Sequence, residues 1–209
     1  MIITFSGIDG SGKTTCAEFA LSYFKAKGLP AEYFHIMRDS FYYKILHDFV
    51  GKVSDNTRRS LEGALRNKKP GIAGSISRWM KKTALLANLA MFNLRFGKYK
   101  KSMSRCVIMD RYFYDDVVQG IYLGFAGKYF ISVFKEYIIM PDLIFYLRYD
   151  PSEAFARKQE YDIDYFMQKS VVYDEVYRTI PHIEIGEVSI SSIKDAVSSG
   201  LEKIIKSND

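Results

Sequence analysis

Close to the start of this 209-residue chain stands "IITFSGIDGSGKTTCAEFALSYFKAKG". An apolar, β-branched run ends at Gly7, a glycine-rich loop follows, and a helical pattern begins at Lys13. Gly7, Gly12, Lys13 and Thr14 fit G-x-x-x-x-G-K-[ST] without a mismatch. Such a loop turns its backbone N–H groups inward around phosphate oxygens, and it works only between a strand and a helix N-terminus. The spacing predicts that Gly7, Asp9, Gly10, Ser11, Gly12, Lys13, Thr14 and Thr15 line a triphosphate, with ATP and Mg²⁺ as the expected cofactors. Lys13 is expected on the β- and γ-phosphates and the Thr14 hydroxyl on the metal.

Four more short apolar runs follow: "AEYFHIM", "RCVIMD", "DLIFYLRY" and "HIEIG", separated by helical patterns. Strands alternating with helices predict a parallel sheet covered on both faces, a three-layer α/β/α arrangement of five strands in one domain, 1–209. In such sheets ligands bind at the carboxyl ends of the strands. Gly7, Arg38, Asp110 and Arg148 fall at or near those ends, so one site is expected from residues far apart in sequence. Gly28 closes the first helix as a C-cap.

From Arg58 to Arg105 there are thirteen Lys or Arg and one acid, Glu62, inside a chain of net charge +6. This block is read as a basic helical insertion over 54–105, helical after "KKPGIAG", with either a solvated or an anion-binding face. Nucleic acid is not the expected partner, since no nucleic-acid motif is laid out there, and a peripheral membrane contact through 58–105 stays open. "TALLANLAMFNL" is too short for a membrane span and reads as a buried helix. Cys16 and Cys106, without metal-ligand spacing, read as buried thiols in a reducing compartment, and "MIITFSG" carries no secretory features; a cytoplasmic protein is expected.

"CVIMDRYFYDD" places Asp110 at the end of a strand, where a carboxylate opposite the loop acts on Mg²⁺ directly or through water. Arg111 beside it could hold the acceptor's anionic group or the phosphoryl in flight. Asp115 and Asp116 are open to two readings, acceptor contact or first-turn acids favouring a helix N-terminus. No guanine-reading N/T-K-x-D segment exists, the nearest string being "NKKP", which argues against a GTPase; the length suits a small-molecule kinase.

"FSGIDGSGKTT", "MDRY" and "PDLIFYLRYDPSEAFAR" together resemble the thymidylate kinase family among the P-loop nucleoside monophosphate kinases. The resemblance implies the P-loop kinase fold with a lid after the fourth strand, about 153–169. It implies transfer of the γ-phosphoryl of ATP to a nucleoside monophosphate, thymidylate first, and a homodimer. Carried over by position, Asp9 approaches the acceptor sugar, Arg38 holds the acceptor phosphate and Arg95 packs on the base. Asp115 and Gln119 stand at acceptor-side positions, and Asp110 and Arg111 at the metal and phosphoryl. Arg157 and Lys158 match lid cations, and Ser11 replaces an arginine that some members carry in the loop. The family's R-E-P-G-G is absent, "HIMRDSFYY" standing in its place, and D-R-Y-x-x-S-x-x-A-Y-Q becomes "DRYFYDDVVQ". These departures are on the acceptor side. They resemble a divergent thymidylate-kinase-like branch, and they leave open a sugar or glycan intermediate as acceptor, or a nucleotide-dependent binding protein that uses its basic segment.

Overall fold

The computed structural model describes residues 1–36, 72–100, 105–186 and 190–206, with the backbone alone at 72–78, 80, 81, 84, 100, 190 and 206. Its strands are β1 (Ile2–Gly7), β2 (Ala31–His35), β3 (Cys106–Asp110), β4 (Leu143–Leu147) and β5 (Ile183–Ile185). Its helices are α1 (Lys13–Ala26), α2 (Ile72–Lys100), α3 (Phe113–Tyr122), α4 (Tyr129–Tyr137), α5 (Pro151–Arg157), α6 (Ile163–Tyr177) and α7 (Ile190–Lys206). The expected strands all form, in one five-stranded sheet of order β2-β3-β1-β4-β5 with every pairing parallel.

Side-chain alternation along β1 builds two cores. Ile3 and Phe5 face α1 and α7, packing with Cys16, Ala20, Phe24, Val197 and Leu201. Ile2 faces the other way, where α2, α3, α4 and α6 bring Leu89, Phe92, Val117, Phe134, Phe166 and Val176. Both faces of the sheet are therefore covered, as a parallel sheet requires. Both cysteines are buried in the first of these cores, and burial pushes their thiols up, Cys16 to about 11 and Cys106 to about 12. They are packing residues.

Helix α1 ends as expected. Gly28 N–H donates to Lys25 O (3.0 Å) and Leu29 N–H to Phe24 O (3.0 Å), the paired bonds of a Schellman turn. Helix α2 starts at Ile72, straight after Pro70-Gly71. The reading of 83–94 as buried needs correcting. Leu85, Leu89 and Phe92 are buried, but Leu86, Met91 and Leu94 are exposed, Leu94 at 84%. Apolar residues occur on opposite sides of this helix, and the sheet covers only one of them. Of the basic block, 58–71 and 101–104 lie outside the described residues, as do Arg38, Phe41, Tyr42, Tyr43 and His47.

The order of the strands positions the site. The crossover from β1 runs to one edge and the later strands to the other, so β1 and β3 lie side by side where the order reverses. Phe5 and His35 are each in register with Asp110, which brings the glycine loop and the end of β3 together.

Candidate functional site

Gly7 to Gly12 join β1 to α1 as the motif demands. A Cβ on Gly7 would meet Leu147 O at 2.5 Å and Ser11 Oγ at 2.9 Å, so only glycine allows β4 and the loop to close so tightly. Gly10, at φ +83°, is approached by the backbone of α5, with Ala154 O at 2.9 Å from where its Cβ would be. The loop is therefore packed against the helix that follows β4.

Lys13 is buried and donates to the carbonyls of Gly7 (2.9 Å) and Ile8 (2.6 Å). Burial first, and then Arg111, bring its ammonium down to about 7 against the pull of Asp9, Asp115 and Asp110. A cation this costly to keep charged gains most from an incoming polyanion. Thr14 Oγ1 donates to Asp110 Oδ2 (2.6 Å), which also accepts from Tyr33 (3.0 Å) and lies 3.9 Å from His35 Nε2. Asp110 Oδ1 and Ser11 Oγ are buried and have no hydrogen-bond partner. A hydroxyl and a carboxylate side by side, with one carboxylate oxygen unsatisfied, suit Mg²⁺, which takes one or two protein oxygens and fills its octahedron with phosphate and water. Among the described residues no cluster of three or more His, Cys, Asp or Glu could hold a metal alone.

Arg111 follows directly, in the left-handed region at φ +73°. Its N–H donates to Phe5 O (3.0 Å), and its guanidinium pairs with Asp9 Oδ1. Burial opposes the Arg111 charge, but Asp9 more than restores it. Burial would likewise raise the Asp9 carboxyl, but Lys169, Arg111 and Lys13 hold it far below the usual carboxylate range. A strained non-glycine backbone that aims a buried cation is characteristic of functional sites.

Two residues of α6 complete this cluster, and they are only faintly marked in the sequence. Tyr165 donates to Asp9 Oδ2 at 2.8 Å, and Lys169 reaches the same oxygen at 3.4 Å and Tyr165 Oη as well. Lys169 is only 4% exposed, and burial lowers its ammonium before Asp9 pulls it back up. The visible signal was a lysine with tyrosines four residues to either side, Tyr165 and Tyr173, on one face of a helix.

Other expected residues are placed differently. Asp115 is buried, and its carboxylate accepts from Ser6 Oγ (2.7 Å), Tyr112 N–H (2.8 Å) and Tyr173 Oη (2.6 Å). Three donors engage it in capping α3 and in tying β1 and α6 together, which favours the helix-terminus reading of the two. Arg95 is exposed and lies over the rings of Phe34 and Phe96, each at 5.3 Å. Asn88 of α2 is buried, and its amide is 3.4 Å from Asp116 Oδ2. Gln119 is half-buried in α3. Arg148 is a surface residue paired with Asp174 (3.1 Å) and Glu184 (3.5 Å), so it does not join the site. Arg157 is exposed at the end of α5 and lies 4.5 Å over the Tyr149 ring. Within the expected lid span, about 153–169, Ala154, Tyr165, Phe166 and Lys169 are buried, while 156–160 and 162–164 are exposed.

Solved structures share this fold. The chain is similar to deoxyadenosine kinase from M. mycoides with the products dCMP and a flexible dCDP bound (15% identity, TM-score 0.58, 97% of this chain and 100% of that one). It is similar to the same enzyme with bound dATP (15% identity, TM-score 0.56, 97% and 100%). Thymidylate kinase from Ehrlichia chaffeensis is comparable (19% identity, TM-score 0.57, 97% and 98%). The chain has the fold of the P-loop nucleotide kinases. Neither the protein-family models nor the curated proteins contain a match to the sequence. No described helix is long and apolar enough to cross a membrane.

Proposed function

We propose that this protein transfers the γ-phosphoryl of ATP to a nucleoside monophosphate, with thymidylate the first acceptor to test. The observation that carries the reading is the convergence on one loop of Lys13, the Thr14–Asp110 pair and the Arg111–Asp9 pair. Thr14 and Asp110 would hold Mg²⁺, which when bound supplies positive charge at the phosphate oxygens. Lys13 exchanges its loop carbonyls for phosphate oxygens and recovers its charge. Arg111 meets the negative charge on the phosphoryl in flight, and the P-loop N–H groups fix its position. Arg157 leaves the Tyr149 ring and supplies the second arginine, since Ser11 carries none.

The choice of acceptor rests on the carboxylates. A hydroxyl acceptor needs a general base. Asp9 is held ionised by two cations and a phenol, Asp110 accepts from Thr14 and Tyr33, and Asp115 accepts from three donors. With the open Oδ1 of Asp110 given to the metal, none of these three is left to act as that base, whereas a phosphate oxygen is already a nucleophile and needs none. The deoxyadenosine kinase likeness favours a second reading, a deoxynucleoside acceptor, and a sugar hydroxyl belongs to the same class. The test is ADP formation from ATP and Mg²⁺ with each nucleoside monophosphate, deoxynucleoside and sugar in turn. Turnover with thymidylate above the acceptor-free rate supports the proposal. Turnover with deoxynucleosides or sugars alone moves it to the hydroxyl class, and none with any acceptor removes it.

A second copy of the chain is the partner proposed for the outer face of α2, where Trp79, Leu86 and Leu94 are exposed on the side away from the core. Leu94→Glu, a change at a site with no packing to lose, is expected to convert a dimer into a monomer by light scattering. A wild-type protein that is already monomeric refutes this.

A further inference from the structure

Asp9 presents a problem in electrostatics. It is an acid inside a loop that must receive a polyanion, and it is 8% exposed. Arg111 takes its Oδ1, so that pair alone is neutral. On Oδ2, Tyr165 donates at 2.8 Å and Lys169 lies at 3.4 Å while also donating to Tyr165 Oη. The chain Lys169 to Tyr165 to Asp9 is one polarised run of hydrogen bonds, and it sets two cations directly on the Asp9 carboxylate, with Lys13 and Asp115 acting on the cluster from further off.

The cost of this arrangement points to a role beyond packing. Lys169 projects from a helix face that also carries Tyr165, Phe166, Tyr173 and Val176, all buried. A methionine would fill much the same volume without desolvating a charge, and Arg111 and Tyr165 would still hold the Asp9 carboxylate. We propose that Lys169 is a positioning residue for phosphoryl transfer: from α6 it fixes the Asp9 carboxylate against Arg111 and keeps the acid of the loop outnumbered by cations as the anionic substrates approach. The proposal rests on the kinase reading above. It adds to that reading a residue reached from the far side of the lid segment, so that α6 and the phosphate loop move as one body. Lys169 acts through Asp9 and Arg111, and Lys13, Thr14 and Asp110 stay as they are.

Lys169→Met and Lys169→Gln test it in the full chain. The expected result is a Tm only modestly below that of wild type for the methionine variant, since Asp9 keeps Arg111 and Tyr165, with kcat/KM for the acceptor lowered by about tenfold or more. MgATP affinity should stay within about twofold, because the contacts of the triphosphate grip are untouched. In the double mutant with Asp9→Asn, the Lys169→Met effect should largely vanish, since its target is gone. Additive effects in that cycle, or a Tm that falls steeply or a fold that is lost in both Lys169 variants, would mean a structural lysine and overturn the proposal. If wild type turns over no acceptor, the kinase reading is what has failed. The ¹³C carboxyl resonance of Asp9, assigned through Asp9→Asn, then decides the lysine separately. Its chemical shift at neutral pH should change in Lys169→Met, and an unmoved resonance would show that Lys169 has no hold on Asp9.

Discussion

Arg111 combines two roles that substitution can separate. Its side chain carries the buried charge opposite Asp9, and its backbone sits at φ +73°. Alanine and glycine both delete the guanidinium, but only glycine is at ease in that backbone region. The left-handed conformation costs a non-glycine residue about 1–2 kcal/mol. Glycine gives back about 0.4–1 kcal/mol through its freer unfolded chain. The net expectation is that Arg111→Gly is more stable than Arg111→Ala by about 0.5–1 kcal/mol, or about 1–4 °C in Tm for a chain of this size. Both should fall below wild type. Breaking a buried pair by removing one partner costs about 3–5 kcal/mol, but Asp9 keeps Tyr165 and Lys169, so a loss of about 2–3 kcal/mol is expected. Both should lose turnover about equally, by on the order of 10³-fold, as arginines that meet transition-state charge do. Urea unfolding gives the stability order and a coupled ADP assay gives turnover. Arg111→Ala matching or exceeding Arg111→Gly in stability would refute the strain argument. Near-wild-type turnover in either variant would refute the role of the charge.

Lys13, held near 7 in the free protein, should be recharged by MgATP, so binding at pH 8 should take up on the order of one proton. The sign follows from burial, which favours the neutral amine above about pH 7 until the triphosphate arrives. Calorimetry in buffers of different ionisation enthalpy reads the uptake, and an unchanged value in Lys13→Met would sink the idea. Asp110→Asn should weaken apparent Mg²⁺ affinity by about 10–100-fold. Higher Mg²⁺ should restore part of the rate, and a rate that ignores both mutation and metal would make Asp110 structural only. Arg157→Ala should lower kcat by on the order of 10³-fold with ATP affinity almost intact, because its contact forms in the transition state. Equal losses in kcat and ATP affinity would instead place Arg157 in ground-state binding.

Much of this protein was determined locally in the sequence. The strand ending at Gly7, the glycines, Lys13 and Thr14 form a contiguous device, so its chemistry could be read without knowing what surrounds it. The five apolar runs and their helical spacers fixed the parallel sheet for the same reason, since period and punctuation are properties of short stretches. Asp110 was legible because a strand end is a position that the pattern marks. What only the tertiary structure decided were partnerships across the fold. Asp115 and Asp9 are both acids near glycine-loop or strand-end motifs, but three donors from β1, the start of α3 and α6 take up the first, and two cations and a phenol hold the second. Arg95 matches a base-packing position only by resemblance, and the fold is what sets it over the rings of Phe34 and Phe96. Lys169 and Tyr165 lie about 156–160 residues from Asp9, and no local pattern encodes a contact at that separation. It forms because the hydrophobic side of α6 must pack on the sheet, and packing that face inward carries the phenol and the ammonium to the loop.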